Sequence, residues 1–150
     1  MYVHTYRKTV HSQMETLRKL LVDSIDHPEK YRRGIQKASV EHVQDGVVRE
    51  TRKDGTTIRE EISFSERKNE FLMTSRLLEH PLYDGKILTR IVPASVQNPM
   101  SPLALEVTLE LERKSFKVEG MLPGETELVH EIEEEMDLLK SEAEEIDRNG

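Results

Sequence analysis

Between residues 105 and 112 the chain alternates without a break: Leu105, Val107, Leu109 and Leu111 are apolar, while Glu106, Thr108, Glu110 and Glu112 are polar. Successive strand side chains point to opposite faces, so this segment reads as a strand with one dry face and one wet face. The dry face needs a cover, and the C-terminus supplies one. From Glu127 onward, Leu128, Ile132, Met136, Leu139, Ala143 and Ile146 recur at steps of four and three, which is one stripe of an amphipathic helix. Thr126 stands where a capping hydroxyl is expected, and glutamates in the first turn suit the positive end of the helix dipole.

The middle of the chain carries three hairpin signals, Asp45-Gly46, Asp54-Gly55 and Asp84-Gly85, because such pairs supply the positive φ angles of tight turns. They predict an antiparallel meander with strands over Ile35 to Val43, Val47 to Lys53, Thr57 to Phe64, Phe71 to Leu78 and Lys86 to Val92. A first strand is expected over Tyr2 to Val10. A helix is expected over Ser12 to Val22, where Ser12 and Glu15 have capping-box spacing and Met14, Leu17 and Leu21 share a side; Pro28 to Arg33 adds another turn. Strands bracketed by helices, without strict alternation, indicate an α+β fold and not a parallel nucleotide-binding sheet. The 150 residues fit one domain over 1–150, of a size that buries roughly 70% of the unfolded chain's surface.

Composition removes several kinds of chemistry. There is no cysteine, so disulfides, thiolate metal sites and cysteine nucleophiles are all excluded. Neither a signal peptide nor a span of roughly 20 apolar residues is visible, so a cytoplasmic protein without membrane insertion is expected. The net charge of −7 is concentrated in the C-terminal helix, and Arg32/Arg33, Arg67/Lys68 and Arg113/Lys114 form no basic stripe. That pattern disfavours nucleic acid as a partner. His130 to Glu134 resembles the start of a zinc protease signature but has Glu134 where the second histidine is required. Gly120 and Gly124 lack the lysine of a phosphate loop, and no Gly-x-Ser-x-Gly elbow occurs. No cofactor and no metal is indicated.

The element order, with its Asp-Gly hairpins and Glu-rich final helix, resembles the helix-grip fold of the SRPBCC superfamily, which includes START-like and Bet v 1-like lipid and metabolite binders. Val48 to Glu50, Ile58 to Phe64 and Gly85 to Ile91 are similar to strands of its small AtaL-like branch, although Thr51 and Arg52 stand where more apolar residues would be expected. What the resemblance implies is a curved antiparallel sheet wrapped around the long helix, with a cavity between them for a small hydrophobic or aromatic molecule. Some members of the superfamily are polyketide cyclases or aromatases, and others only bind.

Strand parity nominates residues for such a site. Ile58, Ile62 and Phe64 share a face with Glu60; Val40 shares one with His42; Ile87 shares one with Thr89. Phe71 and Met73 with Val107 and Leu109 line a cavity or fill a core, and Ile132 and Met136 face them from the helix. Phe116, Val118, Met121 and Leu122 precede the helix in a segment with Gly120 and Gly124, which suggests a lid with Phe116 and Met121 against the ligand. Binding is the leading expectation. A cyclase or dehydratase would use Glu60, His42 or Arg49 as acid, base or oxyanion partner. A co-chaperone-like interaction module would instead show a filled interior and an exposed apolar patch.

Overall fold

Asp54 and Gly55 both adopt left-handed backbone angles, φ 51° and 76°, and this two-residue turn folds β3 (Gly46–Lys53) back on β4 (Thr56–Arg67) as the sequence predicts. The computed structural model describes residues 2–95, 97–98, 100–114 and 123–149, with side chains from 126 onward in the last stretch. The other elements are β1 (Tyr2–Val10), α1 (Met14–Asp26), a 3-10 turn (Pro28–Lys30), β2 (Lys37–Val43), β5 (Glu70–Glu79), β6 (Tyr83–Pro93), β7 (Leu103–Arg113) and α2 (Pro123–Asn149). The strands form one antiparallel, curved sheet in the order β1-β7-β6-β5-β4-β3-β2. Strands β2 to β7 are a plain meander. β1 pairs with β7 at the far edge, so α1 and the 3-10 turn carry the chain across the sheet from one edge to the other.

One turn signal is misread by the sequence. Asp84-Gly85 lies inside β6, where Gly85 pairs with Leu111, and the β5–β6 connection is His80 to Leu82. A Cβ on Gly85 would meet the Glu110 carbonyl oxygen at 2.2 Å, and φ there is 126°, so this glycine serves a close backbone approach and not a hairpin. The β4–β5 turn is made at Lys68-Asn69, with Asn69 at φ 62°.

The inner face of the sheet is the alternating side. Leu103, Leu105, Val107, Leu109 and Leu111 are all buried, each removal from water being worth roughly 1.5–3 kcal/mol. Leu17, Leu21 and Ile25, one stripe of α1, close part of this face. The N-terminus of α1 is not held by the expected capping box: Gln13 occupies the cap with no side-chain bond, and Ser12 Oγ donates to the Gln13 carbonyl. Asp147 near the end of α2 takes that role, accepting from Gln13 N–H at 2.6 Å and from Thr16 Oγ1 at 2.7 Å. A carboxylate there also suits the positive end of the α1 dipole.

The C-terminal half of α2 is tied down along its length. Lys140 Nζ donates to the Thr9 carbonyl at 2.6 Å, the His11 amide donates to Glu144 at 2.9 Å, and Lys8 pairs with Asp137 at 2.6 Å. Met136, Leu139 and Ala143 are buried, whereas Ile146, expected on the same stripe, is 48% exposed; the next residue, Asp147, bonds to the start of α1. α2 begins at Pro123, so Thr126 falls inside its first turn and is not the cap. Among the described residues no helix is long and apolar enough to cross a membrane.

Candidate functional site

Between the sheet and the N-terminal half of α2 the side chains do not meet, and a cavity of about 350 Å³ remains. That lies within the usual size range of roughly 300–1,000 Å³ for small-molecule sites. Its floor is the inner face of the central strands: Ile58 and Glu60 from β4, Met73 and Ser75 from β5, Ile87 and Thr89 from β6, and Val107 from β7. Thr51 of β3 belongs to the same floor. The roof is Leu128, Ile132 and Met136 of α2, and His80, Pro81 and Leu82 of the β5–β6 turn form one wall. Partly exposed Arg32, Lys53 and Glu131 mark where it meets solvent, with side-chain ion pairs from Lys53 to Glu131 at 2.5 Å and from Arg32 to Glu135 at 2.7 Å.

A charged pair is built into the floor. Arg49 on β3 and Glu60 on β4 are direct partners in register, are 2% and 3% exposed, and meet through Arg49 Nη2 and Glu60 Oε1 at 2.9 Å. Ser75 Oγ donates to the other carboxylate oxygen at 2.5 Å, and Arg32 Nη1 stands 4.0 Å away. Burial pushes the Glu60 carboxyl up, but the Arg49 and Arg32 guanidiniums and the hydrogen bonds from Ser75 and Arg49 outweigh it, bringing the pKa down to about 2. The other end of Arg49 is also occupied: Nη1 donates to the carbonyls of Ser24 at 3.0 Å and Ile25 at 3.5 Å. These are last-turn carbonyls of α1, where a cation suits the helix dipole. The pair therefore holds α1 to the sheet as well as walling the cavity.

Parity placed Glu60 correctly. A register shift does occur between Arg59 and Glu60, but the extra residue, Leu78, belongs to β5: Arg59 pairs with Glu79 and Glu60 with Leu77. The facing of β4 is unchanged. Of the apolar candidates, Ile58, Met73, Ile87, Val107, Ile132 and Met136 line the cavity, as does Thr89. Ile62, Phe71 and Leu109 are core residues, 0%, 3% and 1% exposed, on the same inner face but outside the cavity lining. Val40, on edge strand β2, packs against the core without reaching the cavity. His42 pairs with Val47 on the inward side, but it lies on the edge strand β2, where the ring is exposed with Nε2 3.3 Å from Asp26 Oδ1 at the end of α1. It has no place at the cavity. Phe116 and Met121, with the lid they were expected to form, lie outside the described residues.

Sequence reasoning missed His80, Thr51 and Ser75. For His80 the available signal was a histidine followed by proline at a strand end. The ring is 8% exposed, and its Nδ1 accepts from the amides of Leu82 at 3.1 Å and Tyr83 at 3.2 Å. Burial lowers its pKa. Thr51, which departed from the expected apolar strand, is 3% exposed and faces the cavity by parity with Arg49 and Val47.

No protein-family model and no curated protein matches this chain, but solved structures resemble it over nearly its whole length. The protein XoxI from Bacillus cereus superposes with a TM-score of 0.69 at 16% identity, covering 98% of this chain and 99% of that one. The ginseng (Panax ginseng) major latex-like protein 151 superposes at 0.67 and 13% identity, covering 95% and 97%. A START superfamily protein from Mycobacterium smegmatis superposes at 0.63 and 13%, covering 97% and 99%. At these identities the likeness is one of fold. The seven-stranded curved sheet closed by α2 is the helix-grip fold of the START-like and Bet v 1-like proteins of the SRPBCC superfamily.

Proposed function

We propose that this chain is a binding protein for a small hydrophobic or aromatic molecule held between the sheet and α2, with residues 1–150 acting as one domain. The observation that carries the reading is the unfilled 350 Å³ cavity in a protein whose adjacent core is tightly closed around Leu17, Ile62, Ile91 and Leu105. Well-packed interiors leave few voids larger than a water molecule, so a space of this size under a helix calls for an occupant. Removing the occupant's apolar surface from water drives binding at about 25 cal/mol per Å². The AtaL-like placement is the finer assignment we propose within the superfamily; it rests on the strand residues around Glu60 and Gly85.

The buried Arg49–Glu60–Ser75 cluster is the kind of feature a cyclase or dehydratase would use. Its electrostatics favour binding over turnover. A carboxylate held near pKa 2 is too weak a base to take a proton efficiently near neutral pH and has none to give there. Arg49 is committed to Glu60 and to the end of α1. The open cavity likewise disfavours the interaction-module reading, which requires a filled interior.

The test is titration with N-phenyl-1-naphthylamine, an uncharged apolar dye, together with native mass spectrometry of the purified protein for a retained small molecule. Saturable binding that is lost in Ile132→Trp, whose indole fills the cavity, is the expected result. Equal dye binding by both proteins would overturn the reading.

A further inference from the structure

The geometry points to a ligand that is uncharged and carries a hydrogen-bond-accepting oxygen, of the ketone or ether kind, received by His80 Nε2–H. This rests on the cavity reading above and adds the polar chemistry of the occupant. Three observations support it.

The first is the tautomer of His80. Two backbone amides, Leu82 and Tyr83, converge on Nδ1. An amide nitrogen can only donate, so Nδ1 is an acceptor and the neutral ring's proton sits on Nε2. Burial favours the neutral ring. Nε2–H is then a fixed donor at the cavity wall.

The second is that this donor has no acceptor among the described residues. Among the described residues Arg49 Nε is the only sealed side-chain polar atom without a partner. Among those residues none accepts from His80 Nε2, the bonds to its ring both being made at Nδ1, and His80 lines the cavity. The same reasoning applies to the hydroxyls of Thr51 and Thr89, which are 3% and 6% exposed and also line it. A donor left unmet in an apolar pocket costs free energy until an acceptor arrives.

The third is charge. Four cationic and five anionic side chains line the cavity, namely Arg32, Arg33, Arg49 and Lys53 against Asp54, Glu60, Glu127, Glu131 and Glu135. Arg49 is paired with Glu60, Arg32 with Glu135, and Lys53 with Glu131 and Glu127, while Arg33, 3.9 Å from Glu134, and Asp54 in the β3–β4 turn are exposed groups of the rim. An anion held inside the cavity would have to displace one of these carboxylates, and a cation one of the bases. A neutral acceptor displaces neither.

The test compares two dyes of one shape, 6-propionyl-2-(dimethylamino)naphthalene and its 6-propyl analogue, which lacks the carbonyl. The variant is His80→Asn, whose side-chain oxygen still accepts from the amide two residues on while the ring N–H is gone. The ketone dye should lose about tenfold in affinity, the scale of one buried hydrogen bond, and the propyl dye less than twofold. Thr89→Val should give a smaller loss, again confined to the ketone dye. Independently of any variant, proton–nitrogen NMR of histidine-labelled wild-type protein should show the Nε2–H tautomer, with that proton moving downfield on adding the ketone dye and not the propyl dye. Propyl-dye binding with no His80 effect on the ketone dye, or an Nδ1–H tautomer, would overturn this inference and leave the cavity reading standing. Failure of both dyes to bind would remove the cavity reading, and this one with it.

Discussion

Arg49 and Glu60 face each other across β3 and β4 at 2.9 Å, both sealed from solvent, and through Arg49 the pair reaches the last carbonyls of α1. Removing one partner of a buried pair strands the other charge. Glu60→Gln should therefore cost roughly 3–5 kcal/mol in chemical denaturation. Arg49→Met combined with Glu60→Leu should cost less than the sum of the two single changes, since neither charge is then left alone. Strict additivity in that cycle would mean the pair is not coupled.

The same pair gives the fold a pH dependence. Glu60 titrates near 4.5 when unperturbed and at about 2 in the folded chain. Folding thus favours its ionised form, so the contribution is complete above about pH 4.5 and is lost as pH falls through the window toward 2. Melting temperatures recorded from pH 6 down to 2.5 should fall more steeply for the wild type than for Glu60→Gln across that window. Parallel profiles would assign the acid sensitivity to other carboxylates.

The residues that carry period and parity were legible in the sequence, and those that depend on where an element ends were not. The alternation of Leu105 to Leu111 and the stripe from Leu128 to Ala143 place sheet and helix directly, because one repeating backbone geometry determines which side chains share a face. Glu60 followed from the same parity, and Arg49 came in only as a partner that a buried Glu60 would need. His42 did not: its face was right, but parity carries no information about which strand ends up at the sheet's edge, and β2 is that strand. Asp84-Gly85 failed because the φ preference of glycine is shared by hairpins and by strand positions pressed against a neighbouring backbone. His80 owes its role to two amides that lie two and three residues ahead of it, a local geometry that no spacing rule for metal or catalytic histidines detects.

Leu139 and Ile132 share one stripe of α2 but have different surroundings. Both border the cavity, but Leu139 is only 2% exposed, beside the buried Met136 and Ala143, whereas Ile132 is only partly buried. Leu139→Ala should destabilise by roughly 2–5 kcal/mol, and Ile132→Ala by clearly less, since part of its side chain already faces empty space. Equal losses in urea unfolding would mean that the cavity closes up in solution.

Asp147 ties the last turns of α2 to the first turn of α1 through Gln13 and Thr16. Asp147→Ala removes an N-terminal cap supplied from a distant part of the chain and should cost about 0.5–2 kcal/mol. Removing α2 beyond its first two residues, by ending the chain after Gly124, exposes the sheet's dry face and should abolish the cooperative thermal transition. A truncated chain that still melts cooperatively near the original temperature would make α2 an appendage.

The cavity's opening follows from how unevenly α2 is held. Its C-terminal half is fixed by backbone-directed bonds to Thr9, His11 and Gln13, while the half over the cavity is held by ion pairs from Glu131 to Lys53 at the end of β3 and from Glu135 to Arg32 just after the 3-10 turn. Partly exposed ion pairs contribute about 0.2–1 kcal/mol each and are screened by salt. Local opening of that half of the helix should therefore be cheaper than global unfolding and should gate ligand exchange. Stopped-flow mixing with N-phenyl-1-naphthylamine should show association and dissociation both accelerating, by about two- to fivefold in total, in Lys53→Met or on raising salt from 20 mM to about 500 mM, with the equilibrium affinity changing less than the rates. Rates indifferent to both treatments would place the entrance elsewhere, and a loss of affinity without faster exchange would make Lys53 a ligand contact instead of part of the gate.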